Sequence, residues 1–164
     1  LMTNLGLEVA LKEKGIGLSR VNVGDRYILD KLLKEDWVIG GEPSGHIICL
    51  DRTTTGDGIV SALQVLAEMN KTGKSLAELC SGMTKYPQVL INVKLGDAVA
   101  KEIMQKPQVT EAVAAVEAEM GDSGRVLLRP SGTEPLIRVM VEGSDADQVQ
   151  RKAEQIADAV RSTL

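Results

Sequence analysis

Aromatic side chains and a surplus of positive charge are both missing from this sequence. It contains no phenylalanine, and its only aromatic residues are Tyr27, Trp37 and Tyr86. The formal net charge is −4 at pH 7. Nucleic-acid-binding proteins attract phosphates with a basic surface, and many stack bases on aromatic rings. We therefore expect no nucleic-acid partner.

Metal ligands and redox-active groups are also scarce. The chain has one histidine, His46, and two cysteines, Cys49 and Cys80, which are too far apart to form a Cys-x-x-Cys motif. A zinc site would have almost no ligands to draw on. Cys49 lies in an apolar run, and we expect both thiols to be reduced, mostly buried and to behave as small hydrophobes.

Long hydrophobic runs are absent too. No apolar run approaches the roughly 18 residues that a membrane-spanning helix needs. The first residues lack the basic start and apolar core of a signal peptide. These features favour a cytoplasmic protein without a membrane partner. Because the sequence opens with Leu1-Met2-Thr3-Asn4 and enters a predicted helix at once, we expect it to be a piece of a larger protein.

The composition is otherwise that of a folded protein. Of the 164 residues, 43% are apolar and 26% are charged, which is enough for one ordinary domain or two small ones. A change in the pattern between residues 82 and 88 predicts two domains, at residues 1–84 and 85–164.

Helices and short strands alternate in the first domain. Helices are predicted to begin at Asn4, Asp25, Thr55 and Ser75, the last with Glu78 as a capping box. Strands are predicted at residues 16–23, 37–39 and 46–50. The second helix should bury Ile28, Leu29, Leu32 and Leu33, and the apolar stripe of the third is assigned to the core. This alternation predicts a parallel βαβ layer, and therefore an α/β domain.

The order of elements changes in the second domain. Apolar residues alternate at Val89, Ile91 and Val93, as in a half-buried strand. Helical residues follow from 96 to 120 with a break at Pro107. Two strands are then predicted at residues 124–129 and 136–142, and a last helix is predicted from Ser144. The order β-α-α-β-β-α predicts an α+β domain.

The loop between those last two strands concentrates groups that bind anions. It reads Arg129-Pro130-Ser131-Gly132-Thr133-Glu134-Pro135, with Arg138 three residues further on. Gly132 would let the backbone approach a ligand closely, and Ser131 and Thr133 add hydroxyl donors. Two guanidinium groups could grip phosphate oxygens bidentately. From spacing alone an ordinary hairpin with solvated arginines remains open.

A second candidate loop is Gly40-Gly41-Glu42-Pro43-Ser44-Gly45-His46. Glu42 and Ser44 could hold a pair of sugar hydroxyls, the carboxylate as an acceptor and the hydroxyl as a donor or acceptor. Pro43 holds Glu42 in an extended conformation. The alternative is a simple turn with a structural histidine.

Two further polar runs are weaker candidates. In Gly24-Asp25-Arg26-Tyr27, Asp25 is explained as a helix cap and Arg26 as a surface residue. The run at residues 51–58 lacks the lysine of a P-loop and the alternating carboxylates of a cation loop. It is interpreted as the polar start of the following helix.

Together these motifs resemble, in order and separation, the second half of the phosphoglucosamine mutases, a branch of the α-D-phosphohexomutase superfamily. The sequence segments that carry the resemblance are residues 23–27, 41–46, 54–58 and 129–135. Residues 137–142 favour this branch over the phosphomannomutases. The resemblance covers essentially the whole chain. It implies a partial third α/β domain at residues 1–84, followed by a TATA-binding-protein-like, two-layer C-terminal domain at residues 85–164.

The resemblance also implies a function. Such an enzyme interconverts glucosamine 6-phosphate and glucosamine 1-phosphate through a 1,6-bisphosphate, on the way to UDP-N-acetylglucosamine. In these terms Glu42, Ser44, His46 and Arg26 would bind the substrate, with His46 shaping the loop. The non-reacting phosphate would be held by Arg129, Ser131, Gly132, Thr133 and Arg138. The task of these groups is positioning and charge neutralisation.

Two parts of the family's machinery are missing from this sequence. No serine stands in the family's Ser-His-Asn type of nucleophile motif, and the Asp-Gly-Asp-Gly-Asp-Arg metal loop has no counterpart. The resemblance thus implies no catalytic residue and no metal ligand in this chain. We expect an isomerase that uses Mg²⁺ as the full-length protein, and no mutase activity from the 164 residues alone.

Two other kinds of protein remain open at this point. One is a stand-alone phosphosugar-binding or regulatory module without catalysis, and the other is a structural interaction domain without a ligand. If the N-terminal part of the first domain lies outside this sequence, a strand near Val21 or Trp37 would be left unpaired. Because an exposed strand edge can pair with another copy of the chain, we also expect a homodimer formed through that edge.

Overall fold

The computed structural model describes all residues from 1 to 164. The chain divides into two compact units, Leu1–Thr84 and Lys85–Leu164. Unit 1 contains four helices, α1 (Leu5–Glu13), α2 (Asp25–Glu35), α3 (Gly58–Thr72) and α4 (Leu76–Cys80), and two strands, β1 (Ile39–Gly41) and β2 (Ile47–Cys49). No helix in either unit is both long enough and apolar enough to cross a membrane.

The first helix has the predicted ends. The Asn4 side chain accepts a hydrogen bond of 3.0 Å from the backbone N–H of Gly6, which satisfies one of the free donors of the first turn. The helix ends at Glu13, with Lys14 as its C-cap. Gly15 follows with φ of 69°, a conformation that glycine adopts without steric cost.

The second helix begins differently from the prediction. Its N-cap is Gly24, with φ of 123° and no side-chain cap, so Asp25 is the first helical residue and its assignment as the cap was wrong. Ile28 and Leu32 are buried against Ile48 of β2. Leu33 is 63% exposed because it lies outside the stripe that meets the strand pair, so its predicted burial was also wrong.

The parallel βαβ layer predicted for unit 1 does not form. Strands β1 and β2 pair antiparallel, with Ile39 opposite Cys49 and Gly41 opposite Ile47. A connection this short permits only a hairpin, since parallel neighbours need a crossover of about a dozen residues or more. Residues 16–23 contain no strand because no neighbouring strand offers them a hydrogen-bonding partner. The unpaired strand edge predicted near Val21 was therefore wrong.

Helix α3 is also less buried than predicted. Ile59, Leu63 and Leu66 are 75%, 55% and 57% exposed, and no residue of the helix is fully buried. Its main neighbours are β2 and α4. A three-residue strand and a five-residue helix are too small to cover a helix of 15 residues. The assignment of this stripe to the core was therefore wrong for this chain.

The short helix α4 has the predicted capping box. The Ser75 hydroxyl accepts from the backbone N–H of Glu78 at 3.3 Å, and the Glu78 carboxylate accepts from the backbone N–H of Ser75 at 2.8 Å. Cys49 is buried as expected, but Cys80, at the end of this helix, is exposed. The predicted burial of Cys80 was wrong because α4 has no buried residue.

Unit 2 has the predicted order of elements. It contains β3 (Gln88–Lys94), α5 (Ala100–Met104), α6 (Pro107–Met120), a short 3-10 helix (Gly121–Ser123), β4 (Gly124–Pro130), β5 (Leu136–Gly143) and α7 (Ala146–Arg161). The three strands form one antiparallel sheet in the order β3-β5-β4. Pro107 opens α6 in the first turn, where its missing N–H costs nothing.

The helices of unit 2 pack on one face of this sheet. Ile137, Val139 and Val141 of the central strand are fully buried in a core that α6 and α7 complete. Helix α7 is capped by Asp145, whose carboxylate accepts from the N–H of Gln148 at 2.7 Å, one residue after the predicted Ser144. Because strand residues alternate between faces, the even-numbered residues of β5, including Arg138, lie on the face opposite the helices.

Candidate functional site

The strands β4 and β5 place Arg129 and Arg138 side by side. The two residues are directly opposite each other in the antiparallel register, so their side chains leave the same face of the sheet. Like charges in this position repel each other. An anion held between the two guanidinium groups would convert this repulsion into attraction, so the register itself favours a ligand of negative charge.

The loop that joins the two strands is a tight turn. The backbone N–H of Ser131 donates to the carbonyl of Leu136 at 2.9 Å, and Leu136 N–H donates to the carbonyl of Glu134 at 2.8 Å. The Ser131 hydroxyl lies 3.4 Å from both the backbone nitrogen of Thr133 and Nη2 of Arg138. A side chain added at Gly132 would meet no atom within 4 Å, so the loop faces open space there.

Arg138 has a donor without an acceptor. Its Nε is buried and makes no hydrogen bond, while its Nη2 lies 3.8 Å from Oε2 of Glu134. Buried polar groups nearly always have a partner, because leaving one unsatisfied costs free energy. This donor is therefore a group to which an acceptor on a ligand could bind.

The hairpin between β1 and β2 forms the second candidate site. The backbone N–H of Glu42 donates to the carbonyl of His46 at 2.8 Å, and Gly45 N–H donates to the carbonyl of Glu42 at 3.0 Å. Gly45 has φ of 89°, which this turn requires. Glu42 is half-buried and Ser44 is exposed, so a ligand can reach both side chains.

His46 is bound to a residue outside the hairpin. Its Nε2 lies 2.9 Å from Oδ2 of Asp25, the first residue of α2. Sequence reasoning missed this partner because a helix cap already explained Asp25. The sequence holds no local signal for this contact, because its two residues lie in different elements.

Arg26 follows Asp25 but points to a different neighbour. Its guanidinium lies 5.1 Å from the centroid of the Tyr27 ring, a cation–π distance, and the residue is exposed. The structure gives Arg26 no direct contact with Glu42 or Ser44. Glu42, Ser44 and His46 thus lie in one turn. Arg26 lies in the first turn of α2, next to Asp25, which contacts that turn.

The residues of this chain do not suit a divalent metal. No group of three or more histidine, cysteine, aspartate or glutamate side chains comes together in either unit. In the run at residues 51–58, Asp57 caps α3 by accepting from the N–H groups of Ile59 and Val60 at 2.8 and 2.9 Å. The interpretation of this run as the polar start of a helix is confirmed.

Sequence comparison assigns both units to one family. The profile of the phosphoglucomutase/phosphomannomutase α/β/α domain III matches residues 1–86. The profile of the phosphoglucomutase/phosphomannomutase C-terminal domain matches residues 90–159. The chain belongs to the phosphoglucomutase/phosphomannomutase family. The resemblance noted from the motifs is thus confirmed, and so is the mixed α/β and α+β fold class.

Bacterial phosphoglucosamine mutases are similar to this chain over nearly its whole length. The enzyme of Thioalkalivibrio sulfidiphilus is 59% identical over 162 residues, which cover 98% of this chain and 36% of the relative. That of Methylococcus capsulatus is 60% identical over 160 residues, covering 98% and 35%. The chain therefore spans about a third of the length of these members of the family.

Solved structures of the family share the fold. The Aspergillus fumigatus N-acetylphosphoglucosamine mutase, studied as an antifungal target, matches with a TM-score of 0.78 and 17% identity over 98% of this chain and 37% of that one. Its complex with GlcNAc-6P and magnesium matches with a TM-score of 0.72 and 18% identity, covering 97% and 40%. At such identities the likeness concerns the fold alone.

Proposed function

We propose that this chain supplies the sugar-binding and phosphate-binding loops of a bacterial phosphoglucosamine mutase. The whole enzyme interconverts glucosamine 6-phosphate and glucosamine 1-phosphate through a 1,6-bisphosphate, for UDP-N-acetylglucosamine synthesis. The proposal is supported by relatives of that name at 59–60% identity and by their match to nearly all of this chain.

The observation that carries the proposal is the arrangement of the two arginines. Arg129 and Arg138 face each other across two strands, and Arg138 retains a buried donor without an acceptor. A phosphate group offers several acceptor oxygens and the negative charge that this pair needs. With the Ser131 hydroxyl and the backbone N–H groups of Gly132 and Thr133, these side chains hold the phosphate that is not reacting.

The sugar is assigned to the hairpin of unit 1. The Glu42 carboxylate accepts hydrogen bonds from sugar hydroxyls, and the Ser44 hydroxyl donates or accepts, so the same pair can hold the sugar in either orientation. His46 shapes the loop, and Arg26 approaches the substrate from the first turn of α2. The two phosphates exchange roles during the reaction, so the sugar must bind in two orientations. Hydrogen bonds to its hydroxyls can form and break as it reorients.

The reacting groups belong to other parts of the whole enzyme. A phosphoserine outside these residues donates its phosphoryl group to the substrate, and Mg²⁺ is bound by ligands that we also expect outside this chain. The 164 residues alone are therefore proposed to lack turnover. We further propose a cytoplasmic enzyme that acts on a hexosamine phosphate, binds neither nucleic acid nor membranes, and forms a homodimer.

An amide NMR titration of this chain with glucosamine 6-phosphate tests the proposal. We expect shifts in residues 129–138 from the phosphate and in residues 41–46 from the sugar, with a dissociation constant of about 1 mM. Inorganic phosphate should shift only the first group, and glucosamine only the second.

A pair of arginine variants makes the test specific. Arg138→Ala should weaken phosphate binding by about tenfold or more, because hydrogen bonds to charged groups contribute about 1.5–3 kcal/mol each. Arg151→Ala removes the same charge from an exposed site on α7 and should leave binding unchanged. Equal affinities in the two variants would refute the role of the arginine pair.

A further inference from the structure

The hairpin that carries Glu42 and Ser44 packs on α2 through the apolar contacts of its strands, and one polar side-chain contact joins its turn to the start of that helix. His46 ends the turn, and its Nε2 lies 2.9 Å from the Asp25 carboxylate. The backbone carbonyl of His46 also accepts from the N–H of Glu42 at 2.8 Å. A displacement of His46 is therefore passed directly to Glu42 through the backbone.

The Cδ2–Nε2 edge of the imidazole lies close to Gly56. A Cβ atom added at Gly56 would overlap the Cδ2, Nε2 and Cγ atoms of the ring. Only glycine leaves room for the ring at this position. The imidazole is thus held by the Asp25 carboxylate at the start of α2 and closely approached by a residue without a side chain in the loop before α3.

We infer that Asp25 is a positioning residue for the sugar-binding loop. By holding the imidazole of His46 against Gly56, its carboxylate fixes the direction in which Glu42 and Ser44 meet the substrate. Asp25 needs no contact with the sugar for this role. The part of the inference that concerns sugar binding rests on the proposed function. The contact that anchors the loop is present in the chain without a ligand.

The chain offers an unambiguous probe of this contact. His46 is its only histidine, so one set of imidazole NMR signals reports the ring. Asp25→Ala should shift those signals together with the amide signals of Glu42 and Ser44. Asp30→Ala is the matched control, because Asp30 is an exposed carboxylate on the same helix.

The same variants separate positioning from general structural damage. Asp25→Ala should weaken the binding of glucosamine by about fivefold, the factor that corresponds to one net hydrogen bond. The affinity of residues 129–138 for inorganic phosphate should not change. Asp25→Asn keeps an oxygen acceptor of the same shape, and we expect it to restore most of the sugar affinity. Urea midpoints of all variants are measured alongside.

Gly56→Ala displaces the ring by a steric clash while the Asp25 carboxylate remains in the chain. The added methyl should displace the imidazole and reproduce the loop shifts and the loss of glucosamine affinity. Gly58→Ala is its control, because a side chain there would meet no atom within 4 Å.

Two results would overturn the inference. One is that Asp25→Ala leaves the ring and the amides of residues 41–46 unshifted. The other is that the ring moves in Asp25→Ala or Gly56→Ala while the loop amides and the glucosamine affinity stay the same. If the unaltered chain bound no glucosamine, the proposed function of the loop would fail, whereas the ring and amide signals would still decide the anchoring.

Discussion

Replacing Arg125 with alanine should cost unit 2 about 3 kcal/mol of unfolding free energy. The partner of Arg125 is Glu142, the one charged side chain of the chain that is fully buried. Both Nε and Nη2 of Arg125 approach Oε1 of that carboxylate, at 2.8 and 2.7 Å. Removal of the guanidinium leaves a buried charge without its main counter-charge.

The magnitude follows from what remains around Glu142. Breaking a buried ion pair by removing one partner costs about 3–5 kcal/mol. The lower end applies here because Gln88 Nε2 still lies 3.3 Å from Oε2 of Glu142, and because Arg125 is 17% exposed, so that water can enter the space it leaves. The double variant Arg125→Met with Glu142→Leu should lose much less than Arg125→Ala, since no buried charge remains.

Urea denaturation followed by NMR measures this cost in unit 2 directly. Amide signals of Val139 and Val141 report the central strand, whereas the fluorescence of Trp37, the only tryptophan, reports unit 1. A loss below about 1 kcal/mol in Arg125→Ala would refute the reasoning. So would a double variant that is as unstable as the single one.

Three other outcomes follow from the same structure. Ile156→Ala should destabilise unit 2 by about 2–5 kcal/mol because Ile156 is fully buried, whereas Leu63→Ala on exposed α3 should change stability by less than about 0.5 kcal/mol. The side-chain hydrogen bond from Ser75, and then its backbone hydrogen bond, hold the pKa of Glu78 below its ordinary value. The stability that this cap contributes is present above the ordinary pKa of Glu78 and is lost as the pH falls through its lowered pKa. Because the Ser75 side chain is the main cause of the lowering, Ser75→Ala should raise the pKa of Glu78 in a carboxyl NMR titration. Gly6→Ala should destabilise unit 1 by about 1–3 kcal/mol, because the added methyl overlaps a backbone carbonyl oxygen.

Each of these expectations has a result that contradicts it. Equal urea midpoints for the Ile156 and Leu63 variants would mean that the burial described here does not govern stability. An unchanged titration of Glu78 in Ser75→Ala would exclude the capping box as the cause of its pKa. A Gly6→Ala chain with an unaltered Trp37 transition would mean that the backbone can shift without cost.

Unit 2 was predictable because its local patterns agree with its tertiary contacts. The alternation of Val89, Ile91 and Val93 matches a strand whose odd-numbered residues face the helices. The apolar stripe of α6 includes Val109 and Val116, and both are fully buried. Where one face of each element is covered by another element of the same unit, hydrophobic periodicity is sufficient.

The fold of unit 1 was less predictable because its hydrophobic patterns predict tertiary contacts that this chain does not make. The stripe of α3 has the spacing of a core helix, yet nothing in unit 1 is large enough to cover it. The apolar residues at 16–23 read as a strand, but a strand exists only where a neighbour supplies hydrogen bonds. Both errors come from the same source: periodicity predicts which face is apolar, not what covers it.

The two candidate loops were found by composition, but their internal geometry was not. The residues Arg129 and Arg138 were expected to flank a loop, and only the strand register makes them direct neighbours. The contact between Asp25 and His46 joins elements separated by 20 residues of chain and has no local signature. The role of each site residue in binding remains a prediction that the proposed titrations test.

The features of the proposed phosphate loop are unfavourable for the fold itself. Two cations face each other across β4 and β5, and the buried Nε of Arg138 has no acceptor. Apolar or neutral residues at these positions would stabilise the sheet more, since repulsion and an unsatisfied donor both cost free energy. Local arrangements of this kind persist where something else compensates for them, and at this site a bound phosphate would remove both costs at once. The destabilising features of the loop therefore support the proposed phosphate ligand more strongly than its glycine and hydroxyl content does.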